Sequence, residues 1–386
     1  MIAYSHTSLD NMVIHEQSAK ARSRQLIDSN EFNNIKTAHP INLYTPNLFI
    51  RIGLFLATSL IILMSQGLLM LMFGGLADSD TGIAIVVAVF GIGVYWVLEY
   101  FIREKKHYRS GVDDALMWAS VSLLAGDLIF YFNMSSLQAS VTVLIFSLFA
   151  SIRFGNSVMA GVAFLSFLCV LFFSITPFGA IAKTILPFVT MIVSLAVYLF
   201  ARSKRNDNRW RHYRYCIMML EFLSLVSTYL SVNYFVVREL SIAMFSLPGN
   251  AVIPGGIFFW IATFLIPAIY IWRALYTKEA LLLRTGLLLA AVAVFTFRAY
   301  FSIAPIEQVM TLAGMILILV SYFVIKYLKK PRRGIIDKAP DENISQYESH
   351  VEGLIVSETF KPEAAVEPGF KFGGGSTGGG GASGQF

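Results

Sequence analysis

The sequence is poor in charge. Asp, Glu, Lys and Arg make up only 14% of its 386 residues, where soluble domains carry about 25%. A chain so short of charge, with 56% apolar residues, is not built to keep most of its surface in water. Cysteine is scarcer still. Cys169 and Cys216 lie in or at the end of apolar runs, and no CxxC pair is present. That leaves no disulfide framework to propose and reads the pair as small buried apolar residues. The histidines, His6, His15, His39, His107, His212 and His350, sit in polar stretches or at the borders of apolar runs, so no membrane-embedded histidine metal cluster is available. There is no P-loop, no HExxH and no dinucleotide fingerprint on a strand–helix unit. These absences weaken soluble-enzyme readings and imply no cofactor, but leave open a membrane-embedded site built from scattered residues. No short apolar signal core occupies the polar stretch 1–47, so the first apolar run is expected to act as an uncleaved anchor.

What the chain does have is long apolar runs and many aromatics, with 32 Phe and 17 Tyr. Residues 49–73, 82–102, 115–133, 137–153, 158–175, 180–201, 215–236, 256–276, 281–300 and 307–328 form such runs. Each approaches the roughly 20 residues needed to cross a hydrocarbon core of about 30 Å. The runs are too long and too uniformly apolar for the alternating strands of an outer-membrane barrel, and helices alone satisfy their backbone groups locally. The expected fold is therefore all-α, a polytopic transmembrane bundle of about ten spans. The borders between 137 and 175 are the least defined, because only Arg153 and Asn156 divide that stretch.

Charge distribution tests the span count. With the N-terminus inside, the inner connections hold Arg103, Lys105, Lys106 and Arg109; Arg153; Arg202, Lys204, Arg205, Arg209, Arg211 and Arg214; and Arg273, Lys278 and Arg284. Lys326, Lys329, Lys330, Arg332 and Arg333 follow the last run, while the outer side holds only Lys183, Arg238 and Arg298 at or near its loops. This segregation predicts an even number of spans, with both termini cytoplasmic. The basic stretch 202–214, which contains Trp210 and Tyr213, is juxtamembrane, so it is read as contacting anionic lipid headgroups rather than nucleic acid.

Three parts follow from this pattern. Residues 1–47 form a cytoplasmic helical segment, with Thr7 and Asp10 at capping-box spacing before one helix and Asp28 and Glu31 before another. They hold too few large apolar residues for a core of their own, and are expected to lie on the membrane domain or stay mobile. Residues 48–328 form the membrane domain. Residues 329–386 form a tail that is basic, then acidic, then glycine-rich, ending GGGSTGGGGASGQF, and are expected to be disordered.

Two stretches carry a resemblance. The N-terminal segment around Ile14-His-Glu-Gln-Ser-Ala, followed by many spans, resembles uncharacterised bacterial multi-pass inner-membrane proteins that open with a short cytosolic helical unit. The ending is similar to the glycine-rich termini of some bacterial membrane proteins, including ones with a TPM domain. It departs from them by closing on Phe386, and no TPM domain is seen here. Neither resemblance implies an activity.

Ionisable residues inside spans are the default candidates for function, since each is costly to insert. Asp127, in Leu-Ala-Gly-Asp-Leu-Ile-Phe, is the clearest; Gly126 is expected to let a neighbouring helix approach it. It reads either as a proton or cation site or as a structural partner for an Arg or a Tyr hydroxyl. Glu221 reads as a functional carboxylate or, more plainly, as a partner of Arg211 or Arg214. Arg298 reads as an anion site, as a partner of Glu307 or Asp127, or as a snorkelling side chain. Pro187 and Pro267 are expected to kink their spans, and the segment 237–256 is an interfacial loop or a re-entrant lid.

Together these features give a first functional reading as an envelope assembly or scaffolding factor. The alternative is a secondary transporter or channel using Asp127 and Glu221. An enzyme acting on lipid-linked substrates is the weakest, because clustered catalytic residues are missing.

Overall fold

The computed structural model describes residues 2–73, 79–205, 207–245 and 255–300, with scattered helical positions between 311 and 326. Two helices, α1 (His6–Ser23) and α2 (Ser29–Ala38), precede ten more. These are α3 (Leu48–Met72), α4 (Asp80–Arg103), α5 (Val112–Tyr131), α6 (Ser136–Phe154), α7 (Ser157–Ile175), α8 (Ala180–Lys204), α9 (Arg214–Leu230), α10 (Tyr234–Phe245), α11 (Gly256–Thr277) and α12 (Ala280–Tyr300). No strand occurs among the described residues; Tyr44 and His107 form an isolated bridge.

The fold is all-α, as expected. Eight described helices are long and apolar enough to cross a membrane, and the bent pair Asn208–Leu230 with Tyr234–Ala243 makes a ninth if counted as one span. Most of the expected tenth run, 307–328, and all of the tail 329–386 lie outside the described residues. Neighbours in sequence pack as antiparallel pairs: α4 with α5, α6 with α7, α8 with α9, and α11 with α12. Contacts between α7 and α9 join a front group, α3–α7, to a back group, α8–α12. Lipid-facing side chains such as Leu63, Leu71, Trp96 and Trp272 are exposed on the outside of the bundle, as expected where hydrocarbon rather than water is the solvent.

The doubtful stretch 137–175 is two spans. Gly155 ends α6 in the left-handed region at φ 61°, and the Asn156 side chain then accepts from the amides of Val158 and Met159 to start α7. This is a helix stop and a helix start on adjacent residues. The expected span 215–236 is corrected. It stops at Leu230 and turns by 75° into α10. Asn233 causes the restart, because its side-chain oxygen accepts from Val236 N at 3.2 Å.

The N-terminal segment lies on the bundle. Ala3 N donates to Arg153 O at 2.8 Å, and Tyr44 exchanges backbone bonds with Lys106 and Tyr108. The Asp28–Glu31 capping box forms as expected. The Thr7–Asp10 box does not: α1 begins after Ser5 with no side-chain cap. Asp10 is drawn away to Arg211 at 2.7 Å and His212 at 3.3 Å, because a full opposite charge outcompetes a backbone amide.

Candidate functional site

Alternation of the spans carries one end of every helix to a common face. Arg103, Asp113, Arg153, Arg202, Arg214 and Glu279 all sit on it, at the C-terminal ends of α4, α6 and α8 and just before or within the first turns of α5, α9 and α12. This basic end holds most of the described ion pairs.

A cavity of about 320 Å³ opens there between α3, the α4–α5 turn and the start of α7, within the size range of small-ligand sites. Its apolar wall includes Phe55, Met117 and Trp118; its polar wall includes Tyr4, Arg51, Arg109, Asp113, Asp114 and Asn156. The local sequence explains how α5 reaches this position. Gly111 precedes α5 at φ 92°, and a Cβ there would stand 2.1 Å from the Arg51 carbonyl oxygen. Only a residue without a side chain lets the two backbones meet so closely. Asp113 then accepts from the amides of Arg109 and Ser110 at 2.7 and 2.8 Å and from the Ser110 hydroxyl at 2.9 Å. Asp114 accepts from Arg51 Nη2 at 2.6 Å and from Asn156 Nδ2 at 3.0 Å.

Above this floor, the Tyr4 hydroxyl donates to Asp113 at 3.4 Å. Burial, followed by the Asp113 charge, pushes the Tyr4 phenol well above its ordinary range. Burial lowers the affinity of His107 for a proton, with the Asp113 charge opposing it. His107 Nδ1 lies 2.7 Å from the Ser110 hydroxyl. That line of His107, Ser110 and Asp113 resembles a hydrolytic triad only in composition. The hydroxyl, not the imidazole, stands in the middle, and Ser110 is fully buried. A general base must take the nucleophile's proton and be held by the carboxylate behind it, so this chain fixes a loop instead.

Beside the cavity, Glu99 of α4 is nearly buried. Arg153 of α6 grips it at 2.9–3.1 Å, Arg103 donates at 3.0 Å, and Tyr95 donates at 3.0 Å. In the back group, Arg202 forks onto both oxygens of Glu279 at 2.9 and 2.8 Å.

The three residues singled out in sequence do not meet. Glu221 is buried near the basic end and pairs with Arg205 at 3.3 Å. This corrects the expected partners: Arg211 reaches Asp10 and Arg214 lies 4.0 Å from Glu16. Asp127 lies near the opposite end of α5, half-buried, and among the described residues it makes no hydrogen bond or ion pair. Gly126 has open space where a neighbouring helix was expected. Arg298 lies near the far end of α12 without contact to Asp127 among the described residues, and Glu307 is outside them. Pro187 and Pro267 lie inside α8 and α11.

Sequence reasoning missed Arg51, Glu99, Asp113 and Asp114. Arg51 and Glu99 fall inside apolar runs, so the rule that selected Asp127 covers them too. Asp113 and Asp114 lie between two apolar runs, where hydropathy carries no signal for them. Among the described residues no group of His, Cys, Asp and Glu has the arrangement of a metal site. No protein-family model, curated protein or solved structure matches the chain.

Proposed function

We propose that this integral multi-pass membrane protein is an envelope assembly or scaffolding factor of an inner membrane, with both termini and the basic end facing the cytoplasm. The observation that supports this reading is how the charges of the spans are used. Arg51, Glu99, Arg153, Arg202 and Glu221 are each held by a local partner near the helix ends. They fasten helices to one another rather than converge on a path through the bilayer. The N-terminal segment, pinned across both helix groups through Arg153 and Arg211, offers a folded surface to other proteins. Anionic headgroups are the partners proposed for the basic residues at this end, as positive-inside topology implies. The resemblance of its layout to bacterial multi-pass inner-membrane proteins is the reason for placing it in that membrane.

Crosslinking in native membranes, followed by purification, tests the assembly role. A stoichiometric partner whose recovery falls when residues 6–38 are deleted supports it; a chain recovered alone in every preparation sinks it. Single-cysteine labelling tests orientation. Reaction of a cysteine at position 209 with an impermeant reagent from outside would reverse the topology.

A second reading, a secondary transporter or channel, is favoured by the broken span. Discontinuous helices build the binding sites of many transporters. At the 75° bend between α9 and α10, Asn233 is fully buried and its amide donates to Tyr229 Oη at 2.8 Å and to Thr296 Oγ1 at 3.0 Å. Ion-dependent flux in proteoliposomes that is lost in Asn233→Ala would establish it over the scaffold.

A further inference from the structure

A larger hollow, of about 620 Å³, lies where the two helix groups face each other. Its floor is made of small side chains, Ala160 and Ala163 of α7, Ala201 of α8 and Cys216 of α9, all buried. Its rims are large, with Leu148 of α6 and Phe200 of α8 exposed beside it. Helices that touch through small residues leave a trough where large residues stand apart, and here no described side chain of the protein fills it. An empty apolar trough forfeits dispersion contacts along its whole lining. In a bilayer the group at hand to restore them is a hydrocarbon chain.

One end of the trough is not apolar. Lys204, the last residue of α8, is half-buried in its lining, together with Trp210 and Tyr213. Tyr213 donates its hydroxyl to Ile152 O at 2.8 Å, which fixes the ring at the mouth. Tyr and Trp are the residues that mark a membrane–water boundary. Other half-buried cations at this end are held within the protein: Arg51 has Asp114, Arg153 has Glu99, Arg202 has Glu279, Arg205 has Glu221, and Arg109 lies 4.0 Å over the Tyr215 ring. The Lys204 ammonium has neither a carboxylate nor a hydrogen-bond acceptor among the described residues. A compact ammonium left without an internal anion is a ready phosphate binder.

We propose that this trough binds one anionic glycerophospholipid, its headgroup phosphate on Lys204 and an acyl chain along the Ala160–Ala163 floor. The lipid then fills the seam between the front and back groups. The proposal is independent of the choice between scaffold and transporter, because it uses only the trough and its cation. Specificity follows from the two halves of the site. A zwitterionic lipid supplies the chain but brings its own cation to Lys204, and a soluble phosphate ester supplies the charge without the chain.

The full chain, delipidated and reconstituted in mixed micelles, can be titrated with brominated-chain phosphatidylglycerol or phosphatidylcholine while Trp210 quenching is read. Trp210→Phe identifies the component of the signal that belongs to this site. The anionic lipid should quench at about fivefold lower mole fraction than the zwitterionic one. Lys204→Gln should erase that preference, Lys204→Arg should restore it, and Arg209→Gln, outside the trough, should leave it intact. Ala163→Leu, which raises the floor, should weaken quenching by both lipids. Glycerol phosphate alone should displace neither. Equal quenching by the two lipids in the parent protein overturns the proposal, as does a preference that survives Lys204→Gln. Displacement by glycerol phosphate would assign the cation to a free phosphate instead. Should Ala163→Leu fail to fold, the Lys204 pair still decides the matter, since its side chain is at a helix end.

Discussion

The two ends of the bundle solve the same problem with different chemistry. At the basic end, helix termini are joined by carboxylate–guanidinium pairs with half-buried arginines: Arg51 with Asp114, Arg153 with Glu99, Arg202 with Glu279. At the far end, rings do this work. Trp260 stacks on Tyr234 at 4.8 Å and meets Tyr300 at 5.8 Å, while the Arg238 guanidinium lies 5.2 Å over the Tyr300 ring. The described ion pair there, Arg238 with Glu239, joins adjacent residues of α10, and its link to α12 runs through 3.4 Å hydrogen bonds of both residues with the neutral Tyr300 hydroxyl. Ion pairs hold helix ends in one register but leave a large penalty when one partner is lost. Aromatic packing spreads its energy over area and tolerates single losses better. The basic end should therefore be brittle to substitution and the far end forgiving.

Glycine gives the largest expected contrast. Gly111 and Gly255 both have positive φ, 92° and 73°, and both precede a helix. A Cβ at Gly111 meets the Arg51 carbonyl and the Phe55 amide, whereas one at Gly255 meets nothing within 4 Å among the described residues. Gly111→Ala combines backbone strain with overpacking and should lose on the order of 4 kcal/mol. Gly255→Ala has the strain alone and should lose about 1–2 kcal/mol. Reversible unfolding in mixed micelles measures both, and equal losses would remove the close approach of α3 and α5 from the account.

Ion pairs come next. Glu99→Ala strands Arg153 and Arg103 and should lose about 3 kcal/mol, near the lower end for a buried pair because Arg153 can partly rehydrate. Glu239→Ala, at an exposed adjacent pair, should lose no more than about 1 kcal/mol. A Glu99→Ala protein as stable as the Glu239→Ala protein would show that the network is decoration.

Much of this layout was legible beforehand, and the misses have physical causes. Hydropathy located the described spans because their length is set by the bilayer rather than by partners. It split 137–175 correctly, since Gly155 and Asn156 are strong stop and start residues even between two apolar runs. It carried α9 on to residue 236, because a single Asn inside an apolar run barely moves the average while its side chain restarts the backbone. The site was read less well. Glu221 was found but given to cations on its own side of the loop. Its partner Arg205 follows the last residue of α8, and such a contact depends on how α8 and α9 cross. Arg51 and Glu99 lie near span ends, where charge is cheap, and so drew no notice; the pairing that makes them structural is between helices distant in sequence.

A smaller effect should be visible in pH dependence at the basic end. Burial lowers the proton affinity of His107 in the folded protein below its ordinary value. The unfolded chain then binds more protons, so the His107 contribution is full above the unfolded pKa of about 6.5 and is lost as pH falls below it. Stability measured from pH 7.5 down to pH 5 should decline less steeply in His107→Asn than in the parent. Parallel profiles would mean that the His107–Ser110 contact does not sense pH.

The smallest effect is expected at Asp127, where the comparison can be broken outright. If the far end does without ion pairs between helices, its carboxylate near the end of α5 has no structural duty. Asp127 is half-buried, has no partner among the described residues, and is preceded by a glycine with open space around it. Both Asp127→Ala and Asp127→Asn should therefore change stability by no more than about 0.5 kcal/mol, the range of substitutions away from packed or paired features. A loss of about 3 kcal/mol in Asp127→Ala would reveal a partner and make the far end as dependent on ion pairs as the basic one. Stability alone leaves the transport reading standing, because a proton-binding carboxylate need not hold the fold together. Flux through proteoliposomes separates the two. Under the scaffold reading Asp127→Asn and the parent carry the same background leak. An Asp127→Asn protein that keeps its stability while abolishing a proton-coupled flux seen in the parent would turn this solitary carboxylate into the working group of a transporter.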